Sequence, residues 1–275
     1  MKQQKVKVSR FFKDGASLLE VLQKISPLSV SELGQAAEKG AVFVEKKGRR
    51  KILRERNLSL KLGPEDSVSF SYDKKILAAP AFRNPQCFGE TPHYGVYHKP
   101  AGIMPQGTQY GDHTSLLRAV ELLKKKEVYL VHRLDRETEG LMLVAFTSEA
   151  AAKLGELFTK RQITKTYQAI VLGSLPVGTE RKLDSSLDGQ EAITKFKVLN
   201  SNETQSLLEV RIETGRLHQI RRHLSDAGLP VMGDPQYGRG NKNKEGLKLL
   251  ARELRFIDPW TKKEVFWQTP TELTL

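Results

Sequence analysis

The chain predicts an α+β protein in which a mixed, largely antiparallel sheet domain follows a small α/β-hairpin module. Three observations carry this. Strand-like runs outnumber helical ones after about residue 93. Those runs do not alternate regularly with helices, and no glycine-rich phosphate loop interrupts them, which disfavours a nucleotide-binding parallel sheet. Two short amphipathic helices and a basic alternating segment stand ahead of them, and 275 residues leave room for a small domain plus a large one.

In chain order, residues 16–25 place Leu18, Leu19, Val21, Leu22 and Ile25 on one helical face. A second helix runs to Glu38 with Leu33 and Ala36 inward, started by Ser29 with Glu32 three residues on, the pattern of a capping box, and stopped by Gly40. The stretch AVFVEKKGRRKILRERN then reads as a strand entering a basic turn, and LSLKLGPEDSVSFSY as a turn at residues 63–66 leading into an alternating strand. These elements make a small module over residues 1–75. Residues 76–92, rich in proline and without periodicity, read as a linker, and 93–275 as one larger domain. Within it, Thr114 caps a helix through Lys126 whose buried face is Leu116, Leu117, Val120 and Leu123; Ser148 caps a helix from Glu149 to Lys160; and VYLV, GLMLVAF, TYQAIVLG, KFKVLN, SLLEVRIE and EVFWQT are strands.

The formal charge of +13 favours a polyanionic partner, since counterion release drives such binding. Residues 1–75 hold 17 Lys and Arg against nine Asp and Glu, so the module is the more basic part per residue. No apolar run is long enough for a membrane span and no apolar signal region follows the charged N-terminus, so the expected location is the cytoplasm, with no membrane partner. Cys87 is the only cysteine, which excludes an internal disulfide and a thiolate zinc cluster. The six histidines show no metal-ligand spacing, so neither a metal nor a cofactor is expected, and the chain is expected to act as a monomer.

Two charged islands break the apolar pattern. The first, VHRLDRETEGL, sets Asp135 between Arg133 and Arg136, with Val128, Leu130 and Val131 before it and Leu141, Leu143, Val144 and Ala145 after. Such a carboxylate is either one half of a structural ion pair at a strand end or a group held ionised to act on a polyanion. The second, ETGRLHQIRRH, follows a strand, turns at Gly215 and starts a helix near Arg216. Leu217, Ile220 and Leu224 take its inward stripe, which makes Arg221 the arginine that enters the interior and Asp135 its candidate partner. Arg222 reads as a solvated arginine, and His132 and His218 as structural hydrogen-bonding groups.

HRLDRETEGLMLVA, ITKTYQAIVLG and ETGRLHQIRRHLSDAGLPVMGDPQYGRG, in that order, resemble the three signature segments of the RluA-type RNA pseudouridine synthases, over about residue 93 to the C-terminus. Residues 8–73, with their Leu-Gly-Pro-Glu-Asp turn, resemble the RNA-binding module named after small-subunit ribosomal protein four. The resemblance implies a pseudouridine synthase fold and an isomerase that flips a uridine out of ribosomal or transfer RNA and rejoins the uracil through carbon 5. It implies that Asp135 is the catalytic residue, that Tyr167 stacks on the target base and takes part in proton transfer, that Arg221 pairs with Asp135 and keeps it ionised, and that Arg133 fills the gap left by the flipped nucleotide. Arg136, Arg216, His218 and Gln219 are expected to contact substrate. The GDPQYG segment reads first as a glycine-rich turn. Two positions depart from the family pattern: Glu139 stands where Ser is usual, putting a negative charge near RNA, and Leu250 stands where His is usual. An alternative is an RNA-binding or ribosome-assembly factor on the same fold without chemistry, against which the intact Asp135, Tyr167 and Arg221 argue. A metal-dependent nuclease lacks its clustered carboxylates or His pairs.

Overall fold

A computed structural model describes residues 4–9, 15–48, 52–238, 240–241 and 243–275. The tip of the basic hairpin (residues 49–51), part of the charged N-terminal stretch (10–14), and Arg239 and Lys242 of the basic segment after Tyr237 lie outside the described residues. The chain divides into two compact units, one of residues 1–84 with 106–123 and one of residues 85–105 with 124–275.

The first unit is built on a four-stranded antiparallel sheet in the order β1 (Gln4–Ser9), β4 (Ser67–Tyr72), β2 (Val42–Glu45), β3 (Leu53–Arg54). Helices α1 (Leu18–Ile25) and α2 (Val30–Glu38) bury Leu18, Val21, Leu22, Leu33 and Ala36 with Val42, Val44, Val68 and Phe70. Each helix opens with a complete capping box, Ser17 with Glu20 and Ser29 with Glu32, closing two orphan N–H groups apiece. Gly40 ends α2 at φ 80°, and a Cβ there would stand 2.5 Å from Asp112 Oδ1, so glycine is required on both counts. The expected linker carries structure: α3 (Lys74–Ala78) is a short helix capped by Asp73, and residues 87–90 form a strand of the second unit.

Residues 106–123 join the first unit through charge and backbone. Asp112 accepts from Arg56 Nη2 at 2.6 Å, its backbone N–H donates to Lys39 O, and Phe82 N–H donates to His113 O. Helix α4 (Leu116–Lys124) starts later than its sequence suggests, with Ser115 Oγ rather than Thr114 accepting from the Arg118 N–H. Its buried face is Leu116, Ala119 and Val120, while Leu123 is 51% exposed.

The second unit is a ten-stranded sheet. Along it run β10 (Glu180–Leu183), β11 (Thr194–Ser201), β12 (Gln205–Ile212), β9 (Thr164–Leu172), β13 (Leu249–Ile257), β8 (Glu139–Ala145), β6 (Tyr94–Lys99) and β5 (Cys87–Glu90), with β7 (Tyr129–Leu130) paired to β8 and β14 (Glu264–Gln268) to β13. Only β8 and β13 pair in parallel, so the sheet is mixed and largely antiparallel. Helix α5 (Ser148–Thr159) packs beside β7 and β8, closing a core of Tyr94, Val96, Leu141, Leu143, Leu154 and Phe256. Its cap is Thr147, one residue before the expected Ser148. Helix α6 (Gln219–Asp226) begins three residues later than Arg216. Among the described residues no helix is long and apolar enough to cross a membrane.

Candidate active site

The sheet places the two charged islands together. Asp135 lies in the loop between β7 and β8, Tyr167 at the centre of β9 opposite Val210 of β12 and Ala251 of β13, and Arg221 in the first turn of α6. They line one cleft of about 600 Å³, whose wall also includes His132, Arg133, Phe158, Arg161, Lys165, Arg216, Leu217, His218 and Gln219. That volume lies in the ordinary range of small-ligand sites.

Arg221 is 2% exposed, and a guanidinium so placed needs carboxylates. It has two. Nη1 donates to Asp135 Oδ2 at 3.1 Å, as the sequence led one to expect. The stronger grip is from a residue that reads in the sequence only as part of a turn: Nε and Nη2 donate to Asp234 Oδ2 and Oδ1 at 2.7 and 2.9 Å, a bidentate pair. Burial pushes the Asp234 carboxyl up, but Arg221 and the backbone N–H groups of Tyr237 and Gln236 outweigh it and hold it below the usual carboxylate range. Burial also works against the Arg221 charge, and the bonds from Asp234 and then Asp135 more than offset it. The Arg221 guanidinium lies 5.2 Å from the Tyr237 ring centroid.

Tyr167 is 8% exposed, and burial, with Asp135 adding to it, pushes its phenol further up, so the hydroxyl keeps its proton. Lys165, two residues earlier, is half-buried in the cleft wall and its pKa is lowered by burial and by Arg161. His132 has a structural place: Nε2 accepts the Leu143 N–H at 3.0 Å, the ring stacks on Phe158, and burial pulls its pKa down to about 3.

Not every expected contact residue reaches the cleft with a group to offer. Arg133 is exposed and lines it. Arg136 is not among its lining residues and pairs with Glu137 at 3.1 Å. Gln219 lines the cleft, but its amide is committed inward: Oε1 accepts from Thr214 Oγ1 and Arg216 N–H, and Nε2 donates to Ile193 O and Thr194 Oγ1. Arg216 Nε donates to Glu191 O. Leu217 is not inward as expected. Because the helix starts only at Gln219, Leu217 stays in the preceding turn, 52% exposed at the cleft. Arg222 holds Asp188 at the surface with two bonds.

The two departures at positions 139 and 250 meet in the fold. Glu139 of β8 stands opposite Leu250 of β13 in the parallel pair, and its carboxylate lies 3.2 Å from His98 Nε2, which holds it below the usual carboxylate range. Leu250 is 1% exposed and packs as an ordinary core residue.

With this geometry in place, comparison with known proteins is decisive for the family. The family described as RNA pseudouridylate synthase matches residues 93–226. A relative from Bacillus subtilis (strain 168), the uncharacterized RNA pseudouridine synthase YhcT, is 31% identical over 234 residues, covering 78% of this chain and 78% of the relative. The chain belongs to the RNA pseudouridylate synthase family. The tRNA pseudouridine synthase C of Vibrio vulnificus is 31% identical over 208 residues, 63% of this chain and 85% of that protein. A solved structure of human RNA pseudouridylate synthase domain containing 4 superposes with a TM-score of 0.57 at 25% identity, over 68% of this chain and 88% of that one. Other curated relatives bear names of the ribosomal large subunit, and the chain spans between 52% and 60% of the length of those relatives.

Proposed function

We propose that this chain converts uridine to pseudouridine in folded ribosomal or transfer RNA, with Asp135 as the reacting carboxylate. The observation that carries the reading is the joining of Asp135 to the buried Arg221 at 3.1 Å in a cleft that also holds Tyr167 and Arg133. The reaction breaks the bond between ribose and N1 of uracil, turns the ring over and bonds its carbon 5 to the same sugar carbon. A carboxylate serves it either by attacking the sugar carbon or by taking a sugar proton, and both routes begin from an ionised Asp135 beside a fixed cation. The detached base has to be kept. Tyr167 offers a buried aromatic face and a hydroxyl that retains its proton, while the cleft walls keep bulk water from the intermediate.

The target uridine reacts only outside its stack, so entry into the cleft costs unstacking. Arg133, exposed beside Asp135, is the side chain suited to fill the vacated space, its planar guanidinium stacking where the base stood. Arg216 and His218 line the same cleft as donors for ribose and phosphate oxygens, and Lys165 and Arg161 add positive charge there. The basic N-terminal segment serves as an RNA-binding module of the ribosomal-protein-four type, anchoring structured RNA while the larger domain reads the loop that bears the uridine. A cytoplasmic location fits both substrate classes.

The test is to incubate the wild type and Asp135→Asn with total RNA and map pseudouridine by carbodiimide modification. The wild type makes the product, and the variant binds RNA within about threefold as well, since one carboxylate contributes little to phosphate contacts, yet makes none. Equal modification by both proteins rejects Asp135 as the reacting group and leaves an RNA-binding factor as the better reading.

A further inference from the structure

The two oxygens of Asp135 face two donors from one helix start. Arg221 Nη1 is 3.1 Å from Oδ2, and His218 Nε2 is 3.8 Å from Oδ1. His218 is the N-cap residue of α6, sits at φ 52° and makes no side-chain capping bond, so the helix itself does not aim its ring. The turn at residues 234–237 does. Tyr237 Oη is 3.0 Å from His218 Nδ1, with the two rings in edge contact at 5.6 Å. Asp234 Oδ1, which holds Arg221 Nη2, also accepts the Tyr237 N–H at 2.9 Å. The turn that clamps Arg221 is thus the turn that aims Tyr237 at His218.

We propose that this turn is a bracket that ties one oxygen of Asp135 to Arg221 and sets a donor facing the other, and that Tyr237 is a positioning residue whose hydroxyl fixes a hydrogen on His218 Nε2, facing Oδ1 and the cleft. The inference rests on the reading of Asp135 as the reacting carboxylate. A neutral imidazole carries one N–H. When Nδ1 accepts the phenolic hydrogen, that N–H must sit on Nε2. When the ring is protonated, Nδ1–H donates to Oη and Nε2 still carries a hydrogen. With the Tyr237 hydroxyl as the donor to a neutral ring, as proposed, His218 Nε2 carries a hydrogen toward Asp135 in either charge state.

A distance of 3.8 Å is too long for a hydrogen bond, so Oδ1 keeps its lone pairs for the sugar while Oδ2 stays tied to Arg221. Once substrate enters, the Nε2–H is placed to bind a ribose or uracil oxygen at the reacting centre. The charged and titratable groups around this ring and Asp135 include Arg133, Arg136 and Glu137 on the loop after β7, Lys99 at the end of β6, Tyr167 on β9, Asp234 and Tyr237 on the turn, and Arg216 and Arg221 on the segment of His218 itself. Of these, Tyr237 makes the bond to Nδ1.

The test needs no damaging variant for its first arm. Nitrogen chemical shifts of the wild-type histidines, with His218 assigned by its loss in His218→Gln, report which nitrogen carries the hydrogen; the expected result is Nε2–H at pH 8, and a hydrogen on Nδ1 overturns the proposal. For the second arm, Tyr237→Phe keeps the ring under Arg221 and removes only the hydroxyl. It is expected to lower kcat about tenfold, the size of one hydrogen bond to a charged group, with KM within about twofold. The deficit should close at a pH where the same nitrogen shifts report a doubly protonated ring, because Nε2 then carries a hydrogen in both proteins. A deficit constant across that range means a merely structural hydroxyl and overturns the proposal, as does an unchanged kcat. If Asp135→Asn is fully active, the reading of the reaction fails instead, and the nitrogen shifts still report the bracket on their own.

Discussion

Lys99 shows how single side chains set the geometry of this site. It is fully buried, and its ammonium donates to the carbonyls of Pro100, Ile103 and Arg136 at 3.0, 2.9 and 3.0 Å. The Arg136 carbonyl follows Asp135 directly, so this lysine holds the Asp135 loop against the end of β6. Burial pulls its pKa from 10.5 down to about 8, opposed by Glu137, Asp135 and Glu139. At pH 7 it still carries three donors. Between pH 8 and 10 the unfolded chain binds more protons at this position than the folded one, so stability rises with pH there as the cost of the buried charge is relieved. Relative to Lys99→Met, the wild type should gain up to about 3 kcal/mol of unfolding free energy across that window. Urea unfolding at a series of pH values checks it, and parallel curves for the two proteins would refute it.

At the scale of elements, the parallel contact of β8 with β13 ties the loop of Asp135 to the strand beside Tyr167. Ala251 pairs with Gly140 on one side and with Tyr167 on the other. Gly140 has φ 127°, and a Cβ there would lie 2.2 Å from the Ala251 carbonyl oxygen, which is backbone and cannot swing away. Gly140→Ala should therefore lose about 3 kcal/mol or more, from strain and a broken strand pair together. Denaturant melts measure the loss, and a change below about 1 kcal/mol would mean that the strands separate easily. How much of this was legible depends on the local pattern. A strand that alternates over most of its length, such as β11, and the helices with one apolar face could be read from the sequence, as could the meeting of Asp135 with Arg221. Strand β13 could not, because a bulge between Ala251 and Glu253 breaks its period of two and sets Arg252 and Glu253 in its middle. The α6 start is not legible because a left-handed residue, His218, delays the helix, and a histidine, though enriched at positive φ, far more often takes an ordinary conformation. Asp234 and Tyr237 are hidden by turn composition, although a carboxylate one glycine after the apolar run LPVM is close to the signal that marks Asp135.

The whole molecule bears a charge of +13, and its basic first unit is proposed to hold RNA. Truncation at residue 75 is a poor test. Residues 106–123 belong to the same unit, and cutting at residue 75 would leave Asp112 without Arg54 and Arg56. Charge can be removed without that damage. Lys47 and Lys61 are exposed and close in space, since Lys46 Nζ reaches the Lys61 carbonyl at 3.0 Å. Among the described residues the Lys47 side chain has only a surface pair with Glu65, which contributes little to stability. The double variant Lys47→Gln, Lys61→Gln should fold as the wild type does. If each lysine neutralises one phosphate, the slope of log affinity against log salt should flatten by roughly 1.4 to 1.8, with weaker binding at low salt and an unchanged kcat once RNA saturates. A loss of kcat at saturation would place these lysines in the chemistry rather than in anchoring. An unaltered slope with unaltered affinity would show that the phosphates are met elsewhere, and the positive charge around the cleft, Arg133, Arg161, Lys165 and Arg216, would then have to supply the binding alone.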